Sequence, residues 1–134
     1  MMMEGGMILP VKTRSRTELV DITGDVQAAI GEAGVRDGFC MVFVPHTTAA
    51  VTINENADPT VKDDMLKVIN KVIPWDDGYR HLEGNSAAHI KSTLVGASEL
   101  LAVVGGKLQL GTWQGIFFCE FDGPRRRKVH LHFI

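Results

Sequence analysis

Apolar residues recur along the chain in short runs that predict β-strands, separated by turns and by capped segments that predict helices. Some runs alternate polar and apolar residues. Others are apolar at every position, which is typical of strands buried on both faces. We predict strands over residues 8–14, 17–22, 39–44, 50–53, 100–104, 107–110 continuing into 113–121, and 128–133.

The turn residues and the order of the strands predict which strands pair. The two glycines at 105–106 predict a tight hairpin, because glycine readily adopts the positive φ angles of such turns. The Asp-Gly-Pro run at 122–124 predicts another turn. We also expect 8–14 and 17–22 to form one strand or a hairpin, and 50–53 to pair with 39–44.

Three helices are predicted from their boundary residues. The first covers about 23–33, with the threonine at its start as the cap and Gly34 closing its end. The second covers about 58–73, because its Asp-Pro start suits a helix and its apolar positions form one face. The third covers about 86–95, after a polar loop.

The balance between these elements predicts the fold class. Short helices cover only one face of a sheet, so strands that are apolar on both faces need a second sheet or another subunit. We therefore predict a single-domain α+β protein over 1–134, with mostly antiparallel sheets, two or three helices packed on them, and a homo-oligomeric state. Residues 1–7 are predicted to be a loose N-terminal extension.

Composition excludes several classes of protein. The formal net charge of −2 disfavours a dedicated nucleic-acid binder. No apolar run has membrane-spanning length and no secretory leader is visible, so the expected location is the cytoplasm. Cys40 and Cys119 both lie in apolar runs, which favours small buried residues over a disulfide or a metal clasp.

Polar groups that bind anions and metals are concentrated between apolar segments. Burying such groups is costly unless they are paired or bind a ligand, so their density predicts a site. The motifs are PHTTAA at 45–50, GNSAAHIKS at 84–92, GTWQGI at 111–116 and EFDGPR at 120–125. Together they resemble the YjbQ family, small proteins often described as secondary thiamine-phosphate synthases. The resemblance implies a homotrimer.

Three histidines are the candidate metal ligands. His46 follows a buried strand, His81 lies in the polar loop and His89 lies in the third helix. A continuous helix would separate His81 from His89 by about 12 Å, so the chain must fold back at Gly84 for them to share an ion. Three histidines with an open fourth position are typical of a catalytic metal site. The alternative is a hydrogen-bonded, buried His46 and a surface His89; the resemblance to the family favours the metal site.

A second group of residues is predicted to handle anions. Arg125 can grip a phosphate through two nitrogens, and Lys91 is expected to assist if it faces the cleft. Glu120 is expected to interact with a histidine or an arginine of the site and so hold it in position. We predict catalytic roles for Glu120, Arg125 and Lys91, and substrate contacts for Thr47, Asn85, Ser86, Gln114 and Arg125.

Two functions of different classes follow from these residues. The first is a metal-assisted enzyme acting on a small phosphorylated molecule; the resemblance implies thiamine-phosphate synthase activity, and metal-dependent hydrolysis is the variant. Histidine ligands favour zinc or a similar ion, whereas magnesium would accompany pyrophosphate. The second is a non-catalytic trimer that binds a metal or a ligand. His130 and His132 are either solvent-facing or a further pair of ligands.

Overall fold

The computed structural model describes residues 2–3 and 5–134, with side chains from residue 5 onward, as a single α+β domain. Its nine strands and three helices, within the described residues, confirm the predicted class. The elements are β1 (Met2–Met3), β2 (Gly6–Lys12), β3 (Glu18–Asp21), α1 (Thr23–Ala33), β4 (Gly38–Phe43), β5 (Ala49–Glu55), α2 (Pro59–Val72), α3 (Ser86–Val95), β6 (Ser98–Val104), β7 (Lys107–Leu108), β8 (Gln114–Glu120) and β9 (Arg126–Phe133).

The strands form two antiparallel sheets that pack face to face. The larger sheet has the order β1-β2-β9-β4-β6-β7 and the smaller has the order β3-β8-β5. Their facing sides supply the main core, in which Val42, Phe118 and Leu131 are fully buried. The second sheet therefore covers the strands that the helices leave open, as the strand pattern predicted.

Helices α2 and α3 cover the outer face of the smaller sheet. Phe117, Cys119 and Phe121 alternate with the core-facing residues of β8 and form a second apolar cluster, against which Met65 and Val95 pack. Strand parity predicted this shared face. Because β8 is buried on both faces, residues 115–120 of this strand are all buried.

Strand pairing differs from the prediction in three places. β5 pairs with β8 in the smaller sheet, whereas β4 lies between β9 and β6. β2 and β3 belong to different sheets and form no hairpin, and the predicted continuous strand from 107 to 121 is divided between the sheets as β7 and β8. Periodicity identifies a strand but not its partner, which depends on contacts remote in sequence.

The helix ends largely follow the prediction. Asp58 accepts a hydrogen bond from the Thr60 amide at 2.9 Å, and Gly34 closes α1 with a φ of +70°. Thr23 is the exception, since it is the first helical residue rather than the cap. Its hydroxyl instead accepts the Ile116 amide at 2.8 Å, which ties α1 to β8.

The start of the chain is more ordered than the predicted loose extension at 1–7. Met2 and Met3 pair with Met7 and Gly6, and the last two are buried in the larger sheet. Met1 and Glu4 lie outside the described residues. Elsewhere, the paired glycines 105–106 form the predicted turn between β6 and β7. No helix in the described part of the chain is long and apolar enough to cross a membrane.

Candidate functional site

His46 lies just beyond the end of β4 in the larger sheet. β4 and β9 pair as far as Phe43 and His130, after which β4 ends. The next amide of β9 that faces this side, from Lys128, donates instead to Nε2 of His46 at 2.9 Å. The imidazole thus takes the place of a strand carbonyl, and this hydrogen bond fixes the orientation of the ring.

The surroundings of His46 favour its neutral form. Burial lowers the pKa of His46, and the nearby positive charge of Arg127 acts in the same direction. A buried imidazole resists protonation because the low-dielectric interior disfavours the charged form. His46 therefore faces the site as a neutral hydrogen-bonding group.

Two surface grooves meet at His89. One, of about 380 Å³, is also lined by His46, Thr47, Ser92 and Thr93. The other, of about 570 Å³, is lined by residues of the 78–81 loop and the first turns of α3, namely Gly78, Tyr79, Arg80, His81, Ser86, His89 and Ile90. The first and second motifs therefore meet at His89, with His46 and Thr47 on one groove and His81 and Ser86 on the other.

The chain folds back at Gly84 as the histidine pairing requires. The Gly84 amide donates to the His81 carbonyl at 3.1 Å, and Gly84 has a φ of +76°, a conformation that glycine adopts without strain. As a result the rings of His81 and His89 lie 5.6 Å apart and perpendicular to each other. The predicted turn therefore brings these two histidines together.

His46 does not complete a metal site with them in this arrangement. Its Nε2 is occupied by the Lys128 amide. Among residues 5–134, no three His, Cys, Asp or Glu side chains converge closely enough to hold an ion. Catalytic zinc normally has three protein ligands. The His46–His81–His89 triad thus stays a prediction, and the geometry supplies only the pair His81 and His89.

Asn85 joins the second motif to the fourth, EFDGPR at 120–125. Its Nδ2 donates to Asp122 Oδ2 at 2.8 Å, and the same oxygen accepts from Nη2 of Arg125 at 3.0 Å. The side chain therefore does not cap α3. Its Oδ1 is buried and has no hydrogen-bond partner among the described residues, which leaves an unused acceptor beside the start of the helix.

Glu120 is fully buried and forms an ion pair with Arg127 rather than with Arg125. One carboxylate oxygen accepts from the Thr13 hydroxyl at 2.7 Å and from Arg127 Nε at 2.9 Å; the other accepts from Arg127 Nη2 and from the Asp122 amide. Burial alone would raise the pKa of Glu120, but these hydrogen bonds outweigh burial and lower it. The expected support of an arginine is present, but a buried carboxylate without a free oxygen is not placed to contact substrate.

Arg127 also anchors the first motif. Its Nη2 donates to the hydroxyl of Thr48 at 2.8 Å and to the carbonyl of the same residue at 3.3 Å. Together with the hydrogen bond between His46 and Lys128, this contact holds the segment after β4 against the start of β9. The Glu120–Arg127 pair is therefore part of the scaffold that positions His46.

Lys91 lies on the opposite side of α3 from His89, since residues two apart differ by about 200° around a helix. It is 2% exposed, and its Nζ donates to Asn70 Oδ1 on α2 at 2.7 Å. Burial lowers the pKa of Lys91, and the charge of Arg16 lowers it further. Lys91 is therefore directed to α2 and not into the histidine cleft, and its catalytic role stays a prediction.

Gln114 also lies away from the site. It begins β8, whereas Glu120 ends the strand about 20 Å further along at about 3.3 Å per residue. Its Oε1 accepts from the Gly111 amide at 2.8 Å, which closes the turn before β8. Gln114 thus has a structural role in this turn and is not brought to the grooves around His89, and its substrate contact stays a prediction.

Three residues of the site region were missed by the sequence reasoning. Arg127 shares its strand face with Val129 and Leu131, both fully buried, so strand parity already indicated an inward-facing arginine. Asp122 had been read only as part of a turn. Arg80 lies in a loop without periodicity, where the sequence contains no signal for its position.

His130 and His132 lie on the outer face of the larger sheet. Both are half-buried, with ring centroids 6.4 Å apart, and His130 also contacts the ring of Phe43. Their partners are thus each other and an aromatic ring. Neither lines the groove bordered by His46 and His89, although His130 is near enough to His46 to contribute to lowering its pKa.

Comparison with known proteins gives one consistent match. Residues 7–134 match the family described as UPF0047 protein YjbQ-like. The chain is 56% identical to UPF0047 protein MJ1081 of Methanocaldococcus jannaschii, over 92% of this chain and 90% of that protein. It is 54% identical to UPF0047 protein YugU of Bacillus subtilis, over 92% and 94%.

Solved structures share the fold closely. An uncharacterized YjbQ/UPF0047 protein from Clostridium acetobutylicum has a TM-score of 0.93 and 52% identity, and the match covers 96% of this chain and 99% of that one. Hypothetical protein APE1520 from Aeropyrum pernix K1 has a TM-score of 0.92 and 40% identity, over 96% and 97%. The architecture described above is therefore one that these proteins share.

Proposed function

Because this chain belongs to the YjbQ-like family UPF0047, and because its motifs meet around α3, we propose that it is an enzyme acting on a small phosphorylated molecule. The observation that carries the proposal is the convergence at His89. Residues from the first motif, the 78–81 loop and the second motif line the two grooves that this histidine borders.

The start of α3 is the proposed position of the phosphate. Asn85 turns its side chain to Asp122, so the first amides of this ten-residue helix have no side-chain cap. Uncapped amides and the helix dipole favour an anion at this end. The Ser86 hydroxyl, the Arg80 guanidinium and the imidazole of His89 border the same groove and supply further donors.

The neighbouring groove is the proposed position of the rest of the ligand. It is bordered by Thr47, Ser92 and Thr93, which carry hydroxyl groups and no charge. A molecule with a diphosphate would fill both grooves and pass His89, with one phosphoryl group at the start of α3 and the second entering this groove ahead of the uncharged remainder. Asp122 links Arg125 to Asn85 near the start of α3, and the charge of this arginine is paired with the Asp122 carboxylate.

The activity that the family resemblance implies is thiamine-phosphate synthesis. In that reaction the thiazole nitrogen of a thiazole phosphate attacks the methylene carbon of a pyrimidine methyl diphosphate, and the carbon–oxygen bond to the leaving pyrophosphate breaks. A divalent metal would stabilise the charge on the departing pyrophosphate. In this proposal His81 and His89 would hold such an ion, with ligand oxygens completing its shell; their neighbouring rings support this choice. Zinc suits imidazole, whereas magnesium prefers the oxygens of pyrophosphate.

The test combines binding with turnover. Pyrophosphate titrated into the protein by calorimetry should bind more weakly to Arg80→Ala, whereas Arg36→Ala, which lies by the distant Gly106 turn, should bind normally. The two substrates are then supplied with zinc or with magnesium, and release of pyrophosphate is measured. Binding without turnover would favour the non-catalytic ligand-binding protein over the enzyme. No binding would overturn both.

The homotrimer and the cytoplasmic location are further parts of the proposal. Phe39, Phe43, Leu100 and Val104 are exposed on strands of the larger sheet, and such apolar exposure is typical of an interface. Light scattering after gel filtration would give the mass directly, and a monomer would contradict the trimer. Cys40 and Cys119 are buried free thiols, which suits a reducing compartment.

A further inference from the structure

The hydrogen bond between Lys128 and His46 determines which imidazole nitrogen carries the proton. A backbone amide can only donate, so Nε2 of His46 must be the unprotonated acceptor. A neutral imidazole carries its single proton on the other nitrogen. In this fold, therefore, Nδ1 of His46 is an N–H group, and among the described residues it has no partner.

We propose that His46 is a neutral hydrogen-bond donor, which presents its Nδ1–H to a phosphoryl oxygen of the ligand, and not a metal ligand. The proposal rests on the proposed function, because it assigns a role within the same pair of grooves. His46 borders the groove that also contains Thr47 and His89, so a ligand oxygen there can reach a donor already fixed in direction.

The position of Lys128 keeps the proton of His46 on Nδ1, because the sheet holds the Lys128 amide against Nε2 of the ring. Lys128 lies on β9 directly beyond the register pairs that join β9 to β4, and its opposite neighbour on β2 is Pro10. The amide is therefore held by the sheet and cannot turn to another acceptor without disturbing the ladder. Proton transfer to Nε2 would place two N–H groups against each other and lose the hydrogen bond.

The same geometry disfavours metal binding by His46. Coordination through Nε2 requires that the Lys128 amide leave it, and coordination through Nδ1 requires loss of the Nδ1 proton. His81 and His89 are less constrained: their rings contact each other edge to face and both border the larger groove. Among the described residues, the polar contact of His81 is with the exposed Glu83, whose Oε1 lies 4.0 Å from His81 Nε2. An ion that binds the histidines should therefore contact this pair and leave His46 unchanged.

Nitrogen-detected NMR of the histidine rings tests the protonation state directly. In the free protein at pH 7.5, His46 should give the Nδ1–H tautomer, and zinc alone should shift the ring signals of His81 or His89 but not those of His46. A proton on Nε2, or a zinc-induced change at His46 with loss of the Lys128 amide contact, would overturn the proposal.

Two substitutions at position 46 test the roles of Nε2 and Nδ1 of the imidazole separately. His46→Gln places an amide oxygen near the position of Nε2, where it can accept from Lys128, but it removes the Nδ1 donor. His46→Asn places an amide nitrogen near the position of Nδ1 and gives up the contact with Lys128. We expect pyrophosphate affinity to fall about tenfold in His46→Gln and much less in His46→Asn.

The controls distinguish this proposal from the function on which it rests. Bound zinc per chain should be the same in both variants and in His132→Gln, which alters a histidine on the outer sheet face. If pyrophosphate binds the parent and is weakened by Arg80→Ala but not by His46→Gln, the role of His46 is overturned while the proposed function stands. If pyrophosphate binds nowhere, the proposed function and the ligand role of His46 both fail.

Discussion

Two arginine–carboxylate pairs, Glu120 with Arg127 and Asp122 with Arg125, lie near the end of β8. They differ in burial and in hydrogen bonding. Glu120 and Arg127 have side chains 0% and 5% exposed and lie between the sheets. Asp122 and Arg125, in the turn that follows, have side chains 14% and 52% exposed. Similar charged groups, two positions apart in sequence, are thus placed in the interior and at the surface.

The two pairs also differ in the number of hydrogen-bonding atoms that they leave available to a ligand. Both oxygens of Glu120 accept two hydrogen bonds each, so the pair has no capacity for a ligand. Asp122 instead links Arg125 to Asn85, whose Oδ1 remains unused. The comparison shows that neighbouring acidic and basic residues divide between a buried pair with a structural role and a more exposed pair, for which a role in binding a ligand is part of the proposed function.

The largest expected effect comes from breaking the buried pair. Glu120→Gln leaves the Arg127 guanidinium buried without a carboxylate, and we expect the free energy of unfolding to fall by about 3–5 kcal/mol. The matched change Asp122→Asn at the surface should lower it by about 1 kcal/mol or less. Urea unfolding followed by tryptophan fluorescence measures both.

A double variant gives this prediction its control. Glu120→Met combined with Arg127→Met removes both charges and should recover part of the lost stability, because desolvation of an unpaired ion no longer opposes folding. Equal destabilisation by Glu120→Gln and Asp122→Asn would contradict the division between the two pairs.

An intermediate effect is expected from acid. The hydrogen bonds to Glu120 lower its pKa in the folded protein below the ordinary value, so the unfolded chain takes up this proton first as the pH falls. The stabilisation is therefore complete above the ordinary pKa of about 4.3 and is lost as the pH falls through the lower folded pKa. Unfolding free energies measured between pH 7 and pH 3 should decline more steeply in the parent than in Glu120→Gln. Parallel curves would show that Glu120 is not the group responsible.

The sequence predicted the elements better than their arrangement. Asp58 and Gly34 sit at helix ends that local backbone chemistry specifies, so their positions could be recognised from neighbouring residues. The pairing of β5 with β8 depends instead on residues that are remote in the chain, from Ala49 with Glu120 to Glu55 with Gln114. Periodicity carries no information about such a choice, and the predicted partner was wrong.

The candidate site shows the same limit. His81 and His89 were correctly paired, because the glycine between them indicated a reversal of the chain. A role for Lys91 in the cleft depended on the side of α3 that it occupies, and this side directs it to Asn70. For Lys91 the missing information was which side of the helix packs on the sheet, and a ten-residue helix with mixed small and polar residues does not reveal it.

The smallest expected effect is a difference between the two pairs in how salt changes their contribution to stability. Arg125→Ala removes a guanidinium that is half exposed, so we expect its cost in stability to stay below about 1 kcal/mol in low salt and to disappear near 1 M salt, where charges are screened within about 3 Å. The cost of Arg127→Ala should persist at the same salt concentration, because solvent ions do not reach a pair buried between two sheets. The urea unfolding midpoints of both variants, measured at low and high salt, show how each loss of stability depends on salt. If the two costs fall together as salt rises, the interior pair is open to solvent and the difference between a scaffold pair and a recognition pair is lost.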